Sequence, residues 1–152
     1  MNNPAPSRRT LVIALTLACA VLSSAGPVSA YDARIAWSPV SAAAGYKIYV
    51  RRNLDPYGAG MDVGAPQPNA DGAIRYLVVG LSIDFTNYFA LTSYDASRQE
   101  SARSNEISLS YAAVAPFVDS DGDGLKDAEE DVNLNRVVHA GETDPRRADV
   151  EE

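Results

Sequence analysis

Cysteine and histidine are almost missing from this chain. One of each stands in 152 residues, Cys19 and His139. A single thiol closes no intrachain disulfide, and from Tyr31 onward there is no cysteine at all. Stability must then come from a packed core and from whatever the chain binds. One histidine excludes a histidine pair at zinc spacing. No Gly-x-Ser-x-Gly elbow and no phosphate loop occur either. No residues compose a catalytic constellation, and the chain reads as a non-enzyme. Basic residues are scarce, 13 Lys and Arg against 20 Asp and Glu, for a net charge of −7. With no basic stripe, nucleic acid is excluded as a partner. Adhesion by Arg-Gly-Asp and glycosylation at Asn-x-Ser/Thr are excluded by the same scan.

Residues 1–30 read as a secretory signal. Arg8 and Arg9 precede an apolar run over residues 11–22, shorter than the roughly 20 residues a membrane span needs. The run ends in Val28-Ser29-Ala30, small residues that suit cleavage after Ala30, with Ala25 as a second candidate. Ser7-Arg8-Arg9-Thr-Leu-Val loosely resembles a twin-arginine export motif. Thr16-Leu-Ala-Cys19 loosely resembles a lipoprotein box, with Thr where Leu is usual. No second long apolar run follows, so the mature chain has no membrane span. The expected location is secreted, extracellular or on the cell surface, with the periplasm as a further possibility.

Charge divides the rest. Residues 31–112 carry eight acids and seven bases, whereas residues 113–152 carry twelve acids and four bases. The acidity belongs to the tail, and the break falls near Ala112-Ala-Val-Ala-Pro116, giving a linker over 113–118. The first part reads as strands of period two around 33–37, 46–51, 76–79, 89–94 and 106–110. Turn formers separate them at Ser38-Pro39, Asp55-Pro56-Tyr-Gly58, Asn69-Ala-Asp71-Gly72 and Asp95-Ala-Ser97. Short strands at this spacing predict an all-β antiparallel β-sandwich.

Trp37, Gly45-Tyr46-Lys-Ile48-Tyr, Gly80-Leu81 and the run from Tyr88 to Glu106 resemble a fibronectin type III domain, in particular the kind found in secreted bacterial proteins. The resemblance covers nearly all of residues 31–112. It implies a two-sheet sandwich with Trp37 buried among Ile35, Ile48, Val50, Phe89 and Leu91. Two departures follow. The strand that should precede the Trp strand is missing or very short, which predicts an exposed sheet edge. The corner tyrosine position holds Asn87 with Tyr88 next to it, so that either a bulge restores the corner bond or the bond is lost.

The tail holds the densest chemical pattern. Asp119, Asp121, Asp123, Asp127 and Glu130 fall at positions 1, 3, 5, 9 and 12 of a twelve-residue window, with Gly124 at 6. A hard cation such as Ca²⁺ wants six to eight oxygens, which a short loop delivers by curling around the ion. Side chains at 1, 3 and 5, the carbonyl of Leu125 at 7, a water-bridged group at 9 and a bidentate carboxylate at 12 supply them. A second window starts at once. It keeps oxygens at Asp131, Asn133, Asn135 and Glu142 but puts Arg136 at the glycine position and His139 at position 9. A left-handed residue other than glycine costs on the order of 1–2 kcal/mol. Five acids in the first window against two in the second predict a strong first site and a weak or absent second one, with Asp144 as an outside oxygen for the latter. Gly141-Glu-Thr-Asp144-Pro145 follows, and residues 119–149 resemble a thrombospondin type 3 repeat segment of a bacterial surface protein. That resemblance implies calcium held in a nearly helix-free string of loops, disordered without the ion.

Asp95 and Glu100 read as solvated turn acids. Tyr49, Tyr57 and Tyr94 read as ordinary sandwich surface, with a sugar-stacking or protein-binding patch as the other reading. The functional expectation is a calcium-stabilised, non-catalytic binding or spacer module whose partner is an extracellular protein or carbohydrate. The alternative is an accessory or truncated piece of an extracellular hydrolase or adhesin.

Overall fold

In the computed structural model the described residues are 13–16 and 30–149. They form an all-β architecture of two antiparallel sheets. One sheet runs β1 (Ile13–Thr16), β2 (Ala30–Trp37), β5 (Ile74–Ser82). The other runs β4 (Met61–Gly64), β3 (Gly45–Arg52), β6 (Asn87–Tyr94), β7 (Ile107–Leu109). The five strands read from alternation are β2, β3, β5, β6 and β7. β4 carried no such signal because it is short and largely exposed, and pairs only with β3.

Alternation aims Ala33, Ile35 and Trp37 of β2 inward, while Arg34 stays exposed. The facing sheet supplies Tyr46 and Ile48 from β3, and Phe89 and Leu91 from β6. Register stacks these pairs, with Ile48 opposite Leu91 and Val50 opposite Phe89. Such cross-strand pairs are what stabilise a sheet face. Trp37 meets Tyr46 edge-on at 5.4 Å between ring centres. All five expected neighbours of Trp37 belong to this core or, as Val50 does, pack against it. Gly45 sits under Tyr94, where a Cβ would fall 2.2 Å from the Tyr94 hydroxyl, so a larger residue there would force the Tyr94 ring to move.

Three features differ from the sequence reading. Residues 13–16 pair antiparallel with residues 34–37 of β2, so part of the stretch expected to stand outside the fold fills the sheet edge expected to be open. An unpaired ladder edge accepts any extended segment that reaches it. Apart from Ala30, which opens β2, the rest of the expected export signal, including Arg8, Arg9, Cys19 and Ala25, lies outside the described residues. Next, the corner bond is neither lost nor restored by a bulge. Asn87 is buried and its Nδ2 donates to the carbonyls of Ser82 and Phe85 and to the Tyr31 hydroxyl at 2.9–3.2 Å. Tyr88 points the other way and carries the Arg51 guanidinium 3.9 Å from its ring centre. Third, the stretch expected to be a linker is packed. One helical turn, α1 (Tyr111–Val114), and a 3-10 turn (Ala115–Phe117) bury Val114, Ala115 and Val118, and Val114 and Val118 join the core.

Glu100 is more than a solvated turn acid. It accepts from Lys47 Nζ, Tyr49 Oη and Thr92 Oγ1 on the outer face of the second sheet. The Lys47 bond first, then Tyr49, holds its carboxyl at about 2 against an ordinary 4.5. A depressed carboxyl contributes stability above its unfolded value and loses it as acid protonates the folded form. The expected result is a wild-type denaturation midpoint that falls more steeply than that of Glu100→Gln between about pH 5 and 2. Parallel slopes for the two proteins in urea titrations would refute this role. Asp95, by contrast, only caps its own turn, accepting from the backbone N–H groups of Ser97 and Gln99.

The tyrosine patch is occupied by the protein itself. Tyr49 and Tyr57 meet edge-on at 6.2 Å, and the Arg103 guanidinium lies 4.8 and 4.9 Å from their ring centres. Tyr57 Oη donates to Glu106, and Tyr94 Oη to Asp62. Among the described residues no helix is long and apolar enough to cross a membrane.

Candidate metal centre

The chain turns off the sandwich at Val118 and enters the first acidic window. Its backbone is anchored at both ends. The Asp127 N–H donates to the Val118 carbonyl at 2.8 Å, and α2 (Asp127–Glu130), a single helical turn, closes the window. Gly124 takes φ +105°, the left-handed turn that the position requires and that glycine adopts without steric penalty.

Inside this frame the carboxylates of Asp119, Asp121 and Asp123 converge, with one oxygen from each within 4.8 Å of the others. Asp119 accepts from the Gly122 and Gly124 N–H groups, and Asp123 Oδ1 accepts from the Leu125 N–H. These bonds curl the loop. Asp121 Oδ1 accepts from the Asp123 N–H at 3.2 Å, but Asp121 Oδ2 is buried without a partner. Glu130 is 1% exposed. Its Oε1 accepts from Thr143 Oγ1 at 3.0 Å, and its Oε2 is likewise buried and unpartnered. Burial, ahead of the charges of Asp121, Asp123 and Asp127, pushes the Glu130 carboxyl up to about 7. Burial also pushes Asp121 upward.

Buried polar atoms in folded proteins are almost always satisfied, so two orphaned carboxylate oxygens in one loop suit a cation as their partner. The donor set is all oxygen and mostly carboxylate, which suits a hard cation and not zinc or copper. A calcium ion holding oxygens at roughly 2.3–2.6 Å sets them within about 5 Å of each other. The 4.8 Å convergence meets that requirement.

Asp127 is placed differently from the rest. It is buried, but its two oxygens accept from the Ser120 N–H and Ser120 Oγ, both at 2.8 Å. Burial raises its pKa against those two bonds. Its role in the geometry is to hold the loop, and it is not one of the converging carboxylates. Position 9 is the one whose contact with the ion runs through water in such loops, which agrees with a set-back side chain. Leu125 stands at position 7 and is exposed.

The second window is satisfied by its own hydrogen bonds. Asp131 is buried and accepts from the Asn135 and Arg136 N–H groups at 3.0 and 2.6 Å. Glu142 accepts from both the backbone and side chain of Asn133 and from the His139 N–H. Asn135 Oδ1 accepts from the Val137 N–H, and Asn135 Nδ2 lies 3.0 Å from His139 Nε2. Neither convergent carboxylate group among the described residues includes a residue of this window.

Arg136, the residue in the glycine position, has a use the sequence did not reveal. It takes the left-handed conformation at φ +63°. Its guanidinium donates to the carbonyls of Ile83 and Asp84 and lies 4.2 Å from the Tyr111 ring centre. Arg146 pairs with the Asp84 carboxylate beside it. The tail is thus docked on the sandwich along a seam where Ile83, Tyr111, Asp127, Arg136 and Pro145 line one cleft. Arg136→Ala keeps the backbone strain and loses the docking bonds, whereas Arg136→Gly loses both. The expected result is that Ala destabilises more than Gly by about 1 kcal/mol, measured by urea denaturation. Equal losses would mean that the left-handed backbone carries no cost here.

The sequence reading missed two participants. Thr143 orients Glu130, and Asp149 brings its carboxylate within 4.8 Å of Asp123 and Glu130. Neither falls in a window pattern, since both come from the chain returning over the loop. No family model matches this chain, and no curated protein matches it either.

Proposed function

We propose that this chain is an exported, non-catalytic module in which a fibronectin type III-like sandwich carries a thrombospondin type 3-like loop that takes up calcium. The observation that carries the reading is the pair of buried, unpartnered carboxylate oxygens, Asp121 Oδ2 and Glu130 Oε2, inside an all-oxygen loop. Asp119, Asp121, Asp123, the Leu125 carbonyl and Glu130 would hold the ion, with Asp127 behind a water. Asp131, Asn133, Asn135 and Glu142 hold the second loop together through their own bonds and do not need one.

The role fits binding or spacing in the extracellular space. Extracellular modules bind calcium at roughly 0.1–1 mM, so the site fills where calcium is well into the millimolar range and empties on dilution or chelation. The ion would act as a brace. Because the loop is hydrogen-bonded to Val118 and Arg136 reaches Ile83 and Asp84, the brace extends to the sandwich. Cleavage after Ala30 would remove β1 and leave the outer edge of β2 free to pair with an extracellular protein.

At tenfold excess over its dissociation constant, calcium contributes about 1.4 kcal/mol. For a domain of this size that raises Tm by roughly 3–6 °C. Thermal unfolding of the purified chain in millimolar CaCl2 and in EDTA measures it. Superimposable melts, with no calcium heat by calorimetry, would remove the metal from the reading.

A further inference from the structure

We infer that Asp149 is an additional ligand of this centre, so that the ion straps the end of the described chain over the first loop. The inference rests on the calcium reading above and adds a residue that lies outside both acidic windows.

Asp123, Glu130 and Asp149 form a second convergent group, each offering a carboxylate oxygen within 4.8 Å of the other two. Asp123 belongs to both groups and so joins Asp119 and Asp121 on one side to Glu130 and Asp149 on the other. The geometry is set by the backbone. The Asp149 N–H donates to Asp123 Oδ2 at 3.1 Å, which fixes the returning chain against the loop. Upstream, Thr143 Oγ1 holds Glu130 and Arg146 is tied to Asp84, so the return path is fixed at three points.

Three carboxylates so close repel one another unless a cation lies among them. Among the described residues no Lys or Arg side chain is paired with any of the three. Arg146 is committed to Asp84, and Asp149 has no ion pair among the described residues. The fully buried Glu130, with Oε2 lacking any donor, stands in this same group. That orphaned oxygen is the independent sign that the group faces a ligand and is more than a patch of surface acid. Spacing compatible with a single calcium shell makes the ligand a divalent cation with oxygen preference.

The test compares the full chain, Asp149→Asn, and Asp95→Asn as a charge control at an exposed turn of the sandwich. Calcium titration by calorimetry gives the affinities. Hydrogen exchange over residues 144–149, with calcium and with EDTA, reports the strap. Asn keeps the Asp149 N–H bond and its shape, so a loss reflects the carboxylate. The expected result is roughly tenfold weaker binding for Asp149→Asn. Asp95→Asn should stay within about twofold, as the loss of one exposed, screened charge does. Calcium should slow exchange at 144–149 in wild type and not in Asp149→Asn. If wild type binds calcium and Asp149→Asn binds it equally well, the strap is wrong and the loop stands alone. If wild type takes up no calcium, the metal reading itself fails and the strap goes with it.

Discussion

Glu130→Gln is expected to weaken calcium binding on the order of 100-fold while making the metal-free protein more stable. The two effects have one cause. Glu130 is buried with Oε2 unpartnered, next to Asp121, Asp123 and Asp127. With the ion bound, its charge and two oxygens serve the position that tunes affinity most directly in such loops. Loss even of a residue that only supports a metal ligand costs 10–100-fold, so a ligand belongs at the upper end. Without the ion, the same charge is desolvated among like charges. Gln removes the charge and gives the site a donor amid acceptors, which should recover about 1–3 kcal/mol. Calorimetry and urea denaturation in EDTA read the two numbers separately. An isolated structural role predicts that stability falls and that affinity is unaffected, and that outcome would reject Glu130 as a ligand.

Phe89→Ala should cost about 3–5 kcal/mol, a large share of the 5–15 kcal/mol that holds a domain of this size. Phe89 is 0% exposed on β6, the strand flanked by β3 and β7, with Val50 and Ile107 opposite it. Truncation removes a full aromatic side chain where neighbours on two strands cannot collapse to fill the space. The tail should feel the loss, because Val114 and Val118 belong to the same core cluster as Phe89. Calcium protection of the tail is therefore expected to weaken in this variant. Val79→Ala, at a position 66% exposed on β5, should change stability by less than about 0.5 kcal/mol. Denaturant midpoints compare the two, and similar losses would mean that the core lies elsewhere.

Much of this was legible from residues alone, for a plain reason. Period-two alternation follows from the pleat, so Ile35 and Trp37, or Ile48 and Val50, announce which face they occupy before any partner is known. The acidic window is equally local, since acids at 1, 3, 5, 9 and 12 all fall within twelve consecutive residues. Where the reading failed, at least one deciding partner was distant in sequence. Asn87 looked like a defective corner because its acceptors, Ser82 O and Phe85 O, and the Tyr31 hydroxyl are chosen by the way β2, β5 and β6 meet. Arg136 looked like a damaged glycine because nothing local shows Ile83, Asp84 or Tyr111 beside it.

The sequence by itself determined the strands, the all-β class and the placing of five carboxylates in one short loop, because pleat and turn chemistry act over a few residues. Only the tertiary structure decided which carboxylates are left without donors, which are used up by Ser120 or Asn133, and that Asp149 returns to the first loop. Those outcomes depend on burial and on which groups the folded chain brings together, and neither is a property of a local pattern. The seam that docks the tail is of the same kind. Val114 and Val118 look like ordinary small and branched linker residues until the sandwich supplies the surface that covers them.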